Sequence, residues 1–284
     1  MYEITPQKDF LVGIDSDGCV FDTMEVKHKE CFIPNTINTY ELQAISKFAR
    51  EAAEFVNLYS KSRGINRFPA LVETLEWLQK RPEVVARGIK IEIPQSLLDW
   101  IKTESKLANP ALEKAAASGD PHLQQALKWS KAVNEAVEAI VRGVPPFPHV
   151  RECLQKMAAK ADLLVVSATP NEALQREWEE HGVAKYVRAI CGQEIGTKKE
   201  VLVNAKKYPA GHTLMIGDAP GDYSAAKAND ALFFPINPGA EDTSWKRLHD
   251  EGIDRFFKGT FAGEYQQKLI DEFDSYLPHK PSWA

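Results

Sequence analysis

Phe10-Leu11-Val12-Gly13-Ile14-Asp15-Ser16-Asp17-Gly18-Cys19-Val20-Phe21-Asp22 decides the fold. An apolar run from Phe10 to Ile14 ends on Asp15, and Ser16, Asp17 and Gly18 are loop formers, so the pattern predicts a buried strand that delivers Asp15 at its C-terminal end. Asp15 and Asp17 lie two residues apart and point to one side of an extended chain. Packing two carboxylates together costs electrostatic energy unless a cation sits between them or one holds a proton, so a magnesium site or an acid/base pair is implied. An ordinary acidic turn is the simpler alternative. A calcium-binding helix-loop-helix is not matched in its glycine and terminal glutamate positions. Gly18 permits a sharp reversal just after the pair.

Short apolar runs recur at 162–166, 187–191, 213–217 and 231–235, with helix-like segments near 171–181, 198–207 and 222–228. This alternation predicts a Rossmann-like parallel sheet with helices on both faces, an α/β fold. The stretch 24–145 is different, being helix-rich without a strand series, and is expected to form an inserted α-helical unit. Residues 39–62 carry a 3.6-residue apolar stripe and predict one long helix. Asn109-Pro110 and Asp120-Pro121 each set a capping side chain before a proline at the first helical position, and 121–142 predicts a second long helix. Val144-Pro145-Pro146-Phe147-Pro148 reads as a stiff linker. The expected domains are therefore 1–23 with 146–284 as the α/β core, and 24–145 as the helical insert.

Three further stretches bear on chemistry. Gly217-Asp218-Ala219-Pro220-Gly221-Asp222 again follows an apolar strand, and its spacing sets Asp218 and Asp222 together near a helix start. Capping by two aspartates would be ordinary, but two strands of one parallel sheet ending in aspartates should meet in one crevice beyond the carboxyl ends of the strands. Leu163-Leu164-Val165-Val166-Ser167-Ala168-Thr169-Pro170 ends a third strand in a hydroxyl. Ser167 can donate to a phosphate oxygen, and the backbone N–H groups behind it, from Ala168 on, add an anion nest. Gly196-Thr197-Lys198-Lys199-Glu200 begins a helix and brings cationic charge to an otherwise acidic crevice.

In this order the four elements resemble the haloacid dehalogenase-like hydrolase superfamily, most of whose members are magnesium-dependent phosphohydrolases. The resemblance covers roughly residues 8–23 and 146–235 and rests on a DxDGxxxD string and a GDxxxD string, with a Ser/Thr strand and a lysine between them. It implies Asp15 as nucleophile and Asp17 as general acid/base. Ser167 and Lys198 or Lys199 would bind phosphate, with Lys198 preferred because Lys-x-Glu before an apolar pair looks like the family's helix start. Magnesium would be held by Asp15, the Asp17 carbonyl and Asp218, with Asp222 supporting the metal shell. The separation of Asp15 from Ser167 far exceeds a ~30-residue βαβ unit, and family members with such an insert carry a helical cap there. In the insert, Tyr59, Arg63, Asn66 and Arg67 fall between two helices where they could face substrate, or could simply cap helices in water. Arg63 and Arg67 are the substrate-binding candidates, and His28 and Lys29 are weaker ones.

Other functions are set aside on sequence grounds. Thirty-five Lys and Arg against 40 Asp and Glu leave a net charge of −5 with no long basic block, which disfavours nucleic acid as a partner. No window reaches the ~18 apolar residues of a membrane span. The N-terminus lacks the pattern of a secretory signal, so a cytoplasmic location is expected. Cys19, Cys31, Cys153 and Cys191 are scattered and read as reduced thiols. Dehalogenation does not call for the metal-binding and acid/base aspartates present here, and phosphonate-cleaving relatives lack an equivalent of Asp17. The expected activity is hydrolysis of a small phosphorylated metabolite through an aspartyl phosphate. A phosphomutase on the same core and a non-catalytic binding protein are the alternatives.

Overall fold

The computed structural model describes residues 2–284. Side chains along the apolar runs alternate between two buried faces, as successive residues of a strand must. Val12, Ile14, Leu163, Val165, Leu214 and Ile216 share one core. Leu11, Leu164 and Val166 enter a second, and Met215 and Phe233 a third, on the other side. The strands are β1 (Phe10–Ile14), β2 (Ala161–Val166), β3 (Ala189–Cys191), β4 (Thr213–Gly217) and β5 (Leu232–Pro235). They form one parallel sheet in the order β3-β2-β1-β4-β5. The order reverses at β1, between β2 and β4, so the crevice of this doubly wound sheet opens at the carboxyl ends of these strands.

Two compact units divide the described residues, one of residues 2–24 with 142–277 and the other of residues 25–141 with 278–284. The first contains the sheet. Beyond β5 it adds helices Glu241–Arg247, Ile253–Phe257 and Glu264–Tyr276, which the pattern of strands and motifs does not foretell. Trp245, Ile253 and Phe256 of these helices, with Leu248 from the turn between the first two, are fully buried in the core on one face of the sheet.

The second unit is helical throughout, and three local expectations need correction there. The predicted helix over 39–62 is interrupted: one helix ends at Thr39, Glu41 adopts a left-handed φ of 54°, and the long helix runs Ser46–Leu58. The apolar stripe survives the break because Leu42 and Ile45 still reach the same core. Asp120 caps Pro121–Ile140 as expected, accepting from the amides of His122 (3.0 Å) and Leu123 (2.9 Å). Asn109 does not cap its helix; its Oδ1 accepts the Ser130 hydroxyl at 2.6 Å. The C-terminal residues 278–284, expected with the α/β core, instead belong to the helical unit. Trp283 packs edge-on against Phe55 and lies under the Arg81 guanidinium at 4.2 Å, which partly buries its large apolar ring. Among the described residues no helix is long and apolar enough to cross a membrane.

Candidate active site

The loop after β1 is a tight turn closed on itself. The Ser16 carbonyl accepts the amides of Cys19, Val20 and Phe21, and the Gly18 amide donates to the Phe21 carbonyl at 2.8 Å. Gly18 takes φ +72°, which explains the glycine there. The Ser16 hydroxyl accepts the Trp178 indole at 3.0 Å, and Trp178, fully buried, stacks edge-on against Phe21. The loop is thus locked to the helix Asn171–Glu180 that follows β2. Sequence reading missed Ser16 and Trp178, whose pairing joins residues far apart in the chain.

Asp15, Asp218 and Asp222 converge at the ends of β1 and β4. All three are buried, and one carboxylate oxygen from each lies within 4.8 Å of the others. The Lys198 ammonium stands among them, 2.6 Å from Asp15 Oδ2 and 2.6 Å from Asp222 Oδ1. Asp222 also accepts the Ala219 amide at 3.1 Å, and Asp15 accepts the Ser16 amide at 2.8 Å. Close approach is possible because residue 217 is glycine: a Cβ there would stand 2.4 Å from the Asp222 Cβ. Burial pushes the Asp15 carboxyl well above the usual carboxylate range; Lys198 opposes this, while the charges of Asp222 and Asp218 add to it. Burial alone would lower the Lys198 ammonium, but Asp15 and Asp222 outweigh it and hold the ammonium above the ordinary lysine value. One ammonium against three carboxylates leaves negative charge in excess, and the all-oxygen donor set suits a hard divalent cation.

The choice between the two lysines is decided by the helix start. Thr197 accepts the Glu200 amide at 3.2 Å while Glu200 accepts the Thr197 amide at 2.7 Å, a capping box that fixes the first turn. Lys198 then turns inward and Lys199 is exposed.

Asp17 stands apart from the three-carboxylate cluster. Its Oδ1 accepts the Thr23 hydroxyl and its Oδ2 the Thr169 hydroxyl, neither of which was singled out from sequence. Thr169 could have been found, since it is the next hydroxyl residue after Ser167 in the turn that follows β2. The nest expected behind Ser167 is smaller than predicted. The Ser167 amide donates to the Cys191 carbonyl at 3.0 Å and the Thr169 amide to the Ser167 hydroxyl at 3.2 Å, which leaves the Ala168 amide. Ser167 Oγ accepts in that bond, so its own proton remains available to donate.

Arg63 and Arg67, expected at a substrate, are engaged inside the helical unit. Arg63, 3% exposed, donates to the Leu58 carbonyl at 2.8 Å. Arg67 donates to Ser130 Oγ (3.0 Å) and Asn134 Oδ1 (2.7 Å) and lies over the Phe32 ring. Asn66 caps the helix Arg67–Lys80 by accepting the Phe68 amide. Lys29 and Tyr59 both meet Glu25, and His28 packs on Phe32. Side-chain partners of this kind follow from helix packing, which the linear spacing does not report.

A doubly wound sheet whose strand ends gather aspartates around a half-buried lysine defines a class of α/β enzyme. The family model for haloacid dehalogenase-like hydrolases matches residues 100–234, just under half of the chain, and the four motifs assembled as described resemble that family's. No curated protein matches the chain. Among solved structures, a candidate phosphoglycolate phosphatase from Lactobacillus delbrueckii subsp. bulgaricus is 17% identical, with 86% of this chain and 92% of that one covered and a TM-score of 0.48. A candidate hydrolase of the same superfamily from Bacillus subtilis, bound to magnesium, is 14% identical over 82% and 88% of the two chains, with a TM-score of 0.40. A candidate beta-phosphoglucomutase from Thermotoga maritima is 13% identical over 80% and 84%, with a TM-score of 0.42.

Proposed function

We propose that the protein is a magnesium-dependent phosphohydrolase of small phosphate monoesters that works through an aspartyl phosphate on Asp15. The observation that carries this reading is the convergence of three buried aspartates on one half-buried lysine. Asp15, Asp218 and Asp222, with the Asp17 carbonyl, are the residues that would hold the metal. When bound, magnesium offsets the charge of the cluster and of the phosphoryl oxygens.

The chain's own groups divide the chemistry. An Asp15 carboxylate oxygen forms the new bond to phosphorus as the ester P–O bond breaks, and Asp17 gives its proton to the departing oxygen. Asp17 then takes a proton from the water that attacks the acyl phosphate, which regenerates Asp15 and releases phosphate. Lys198, Ser167 and the Ala168 amide bind phosphoryl oxygens and reduce the repulsion between two anions. The helical insert is assigned as the cap that excludes water and selects the leaving group. Its attachment supports this: the chain leaves the core just after Thr23, and on its return the Phe147 amide donates to the Val20 carbonyl at 2.9 Å.

The test is phosphate release from a panel of phosphorylated metabolites with and without magnesium, for the wild type and Asp15→Asn. Turnover that needs magnesium and is lost in Asp15→Asn is expected. Hydrolysis undiminished by chelator or by the substitution would refute the reading.

A further inference from the structure

Asp17 must do two jobs in the cycle, protonating one oxygen and deprotonating another, and so needs a defined orientation more than most carboxylates. Each of its oxygens accepts one hydroxyl, Thr23 on Oδ1 and Thr169 on Oδ2. In both contacts the threonine hydroxyl donates and the carboxylate oxygen accepts. With both oxygens held, rotation of the carboxylate about its last torsion is blocked.

The backbone of Thr169 is itself held by two hydrogen bonds. Its amide donates to Ser167 Oγ at 3.2 Å and its carbonyl accepts the Gln193 amide at 3.0 Å. That carbonyl lies where a Cβ on Gly192 would stand 2.7 Å away, so the neighbouring glycine is what lets the two backbones meet. The same Ser167 that is proposed to bind phosphate therefore also fixes the residue that orients the acid/base.

We propose that Thr169 is the positioning residue for Asp17, setting the direction from which its carboxylate gives and takes protons. The inference rests on the phosphohydrolase reading above. In this role Thr169 acts through Asp17.

The experiment compares Thr169→Val, which keeps the shape and removes the hydroxyl, with Thr169→Ser, which keeps the hydroxyl. Both are assayed on an alkyl phosphate and on p-nitrophenyl phosphate, whose leaving group departs without a proton. Misorienting a catalytic group costs up to about a hundredfold, so Thr169→Val should lower kcat on the alkyl phosphate by roughly ten- to hundredfold with KM little changed. On p-nitrophenyl phosphate bond cleavage is spared while water attack is slowed, so the variant should show a burst of p-nitrophenolate and accumulate phosphoenzyme. Thr169→Ser should restore kcat to within about threefold. In an Asp17→Asn background Thr169→Val should change kcat less than twofold, because the group it orients is gone. Wild-type kcat in Thr169→Val, equal losses in the Val and Ser variants, or additive losses with Asp17→Asn would each overturn the proposal while leaving the phosphohydrolase reading intact. A wild-type protein without activity on any phosphate ester would overturn both.

Discussion

Gly217→Ala tests the geometry of the aspartate cluster with a single methyl group. The new Cβ would lie 2.4 Å from Cβ and 2.4 Å from Cγ of Asp222, neither of them the free end of a flexible chain. Carbon atoms settle at roughly 3.5–4.0 Å, so Asp222 must retreat by more than about 1 Å. It has nowhere to go without loss, since it is fully buried, sits in the first turn of Pro220–Ala228, and holds both Lys198 and the Ala219 amide. Overpacking of this kind costs about 1–3 kcal/mol, and the charge-assisted bond to Lys198 is worth about 1.5–3 kcal/mol. Partial relaxation makes these less than additive, so a loss of roughly 2–4 kcal/mol is expected. Activity should fall further than stability explains, because displacing Asp222 also moves Lys198 and through it Asp15. Gly221→Ala is the matched control four residues on: nothing lies within 4 Å of its added Cβ, and an alanine in the first helical turn should be neutral or stabilising by up to about 1 kcal/mol. Urea denaturation and magnesium-dependent phosphate release on both variants decide the matter. A Gly217→Ala protein with wild-type midpoint and turnover would refute the close approach on which the site is built.

Two further outcomes follow from buried charges outside the site. Asp162, 1% exposed, accepts the Gln7 amide (2.9 Å), the Lys8 amide (3.2 Å), the Arg188 guanidinium (2.8 Å) and the Tyr208 hydroxyl (2.7 Å). Burial alone would raise its carboxyl, but these donors outweigh it and hold the group below its ordinary value. A depressed folded-state value means that the stabilisation is complete above the unfolded value of about 3.9 and is lost as pH falls through the folded one. Asp162→Asn should therefore cost about 1.5–3 kcal/mol at neutral pH, with the gap to wild type closing in acid; a gap that persists unchanged at low pH would contradict this. Arg67, lowered to about 10 by burial, is tied to Ser130 and Asn134, so Arg67→Ala should destabilise the helical unit by about 2 kcal/mol. Equal kinetic losses on metabolite and generic phosphate esters should accompany the drop in melting temperature; a selective loss on one substrate with unchanged stability would return Arg67 to the substrate site.

Features that depend on short stretches of chain are legible in the sequence. The apolar run ending at Asp15, the reversal at Gly18, the aspartates of 217–222 and the cap at Asp120 are set by local periodicity and backbone preference, which neighbouring residues alone specify. The α/β alternation then implies that strand ends gather, and Asp15 and Asp218 do meet beyond β1 and β4. Partners across the fold cannot be read in this way. Whether Lys198 or Lys199 turns inward depends on where the helix begins relative to β4, and Arg63 and Arg67 look like free cations until the helices that absorb them are packed. Thr169 gains its role only because the turns after β1 and β2 are brought together, and residues 278–284 join the helical unit because Trp283 finds its apolar surface and Arg81 there. Local sequence determines where polar groups emerge from the backbone. Which of them are desolvated and paired is decided by tertiary packing, because burial, and with it the strength of every charge interaction in the site, is a property of the assembled fold.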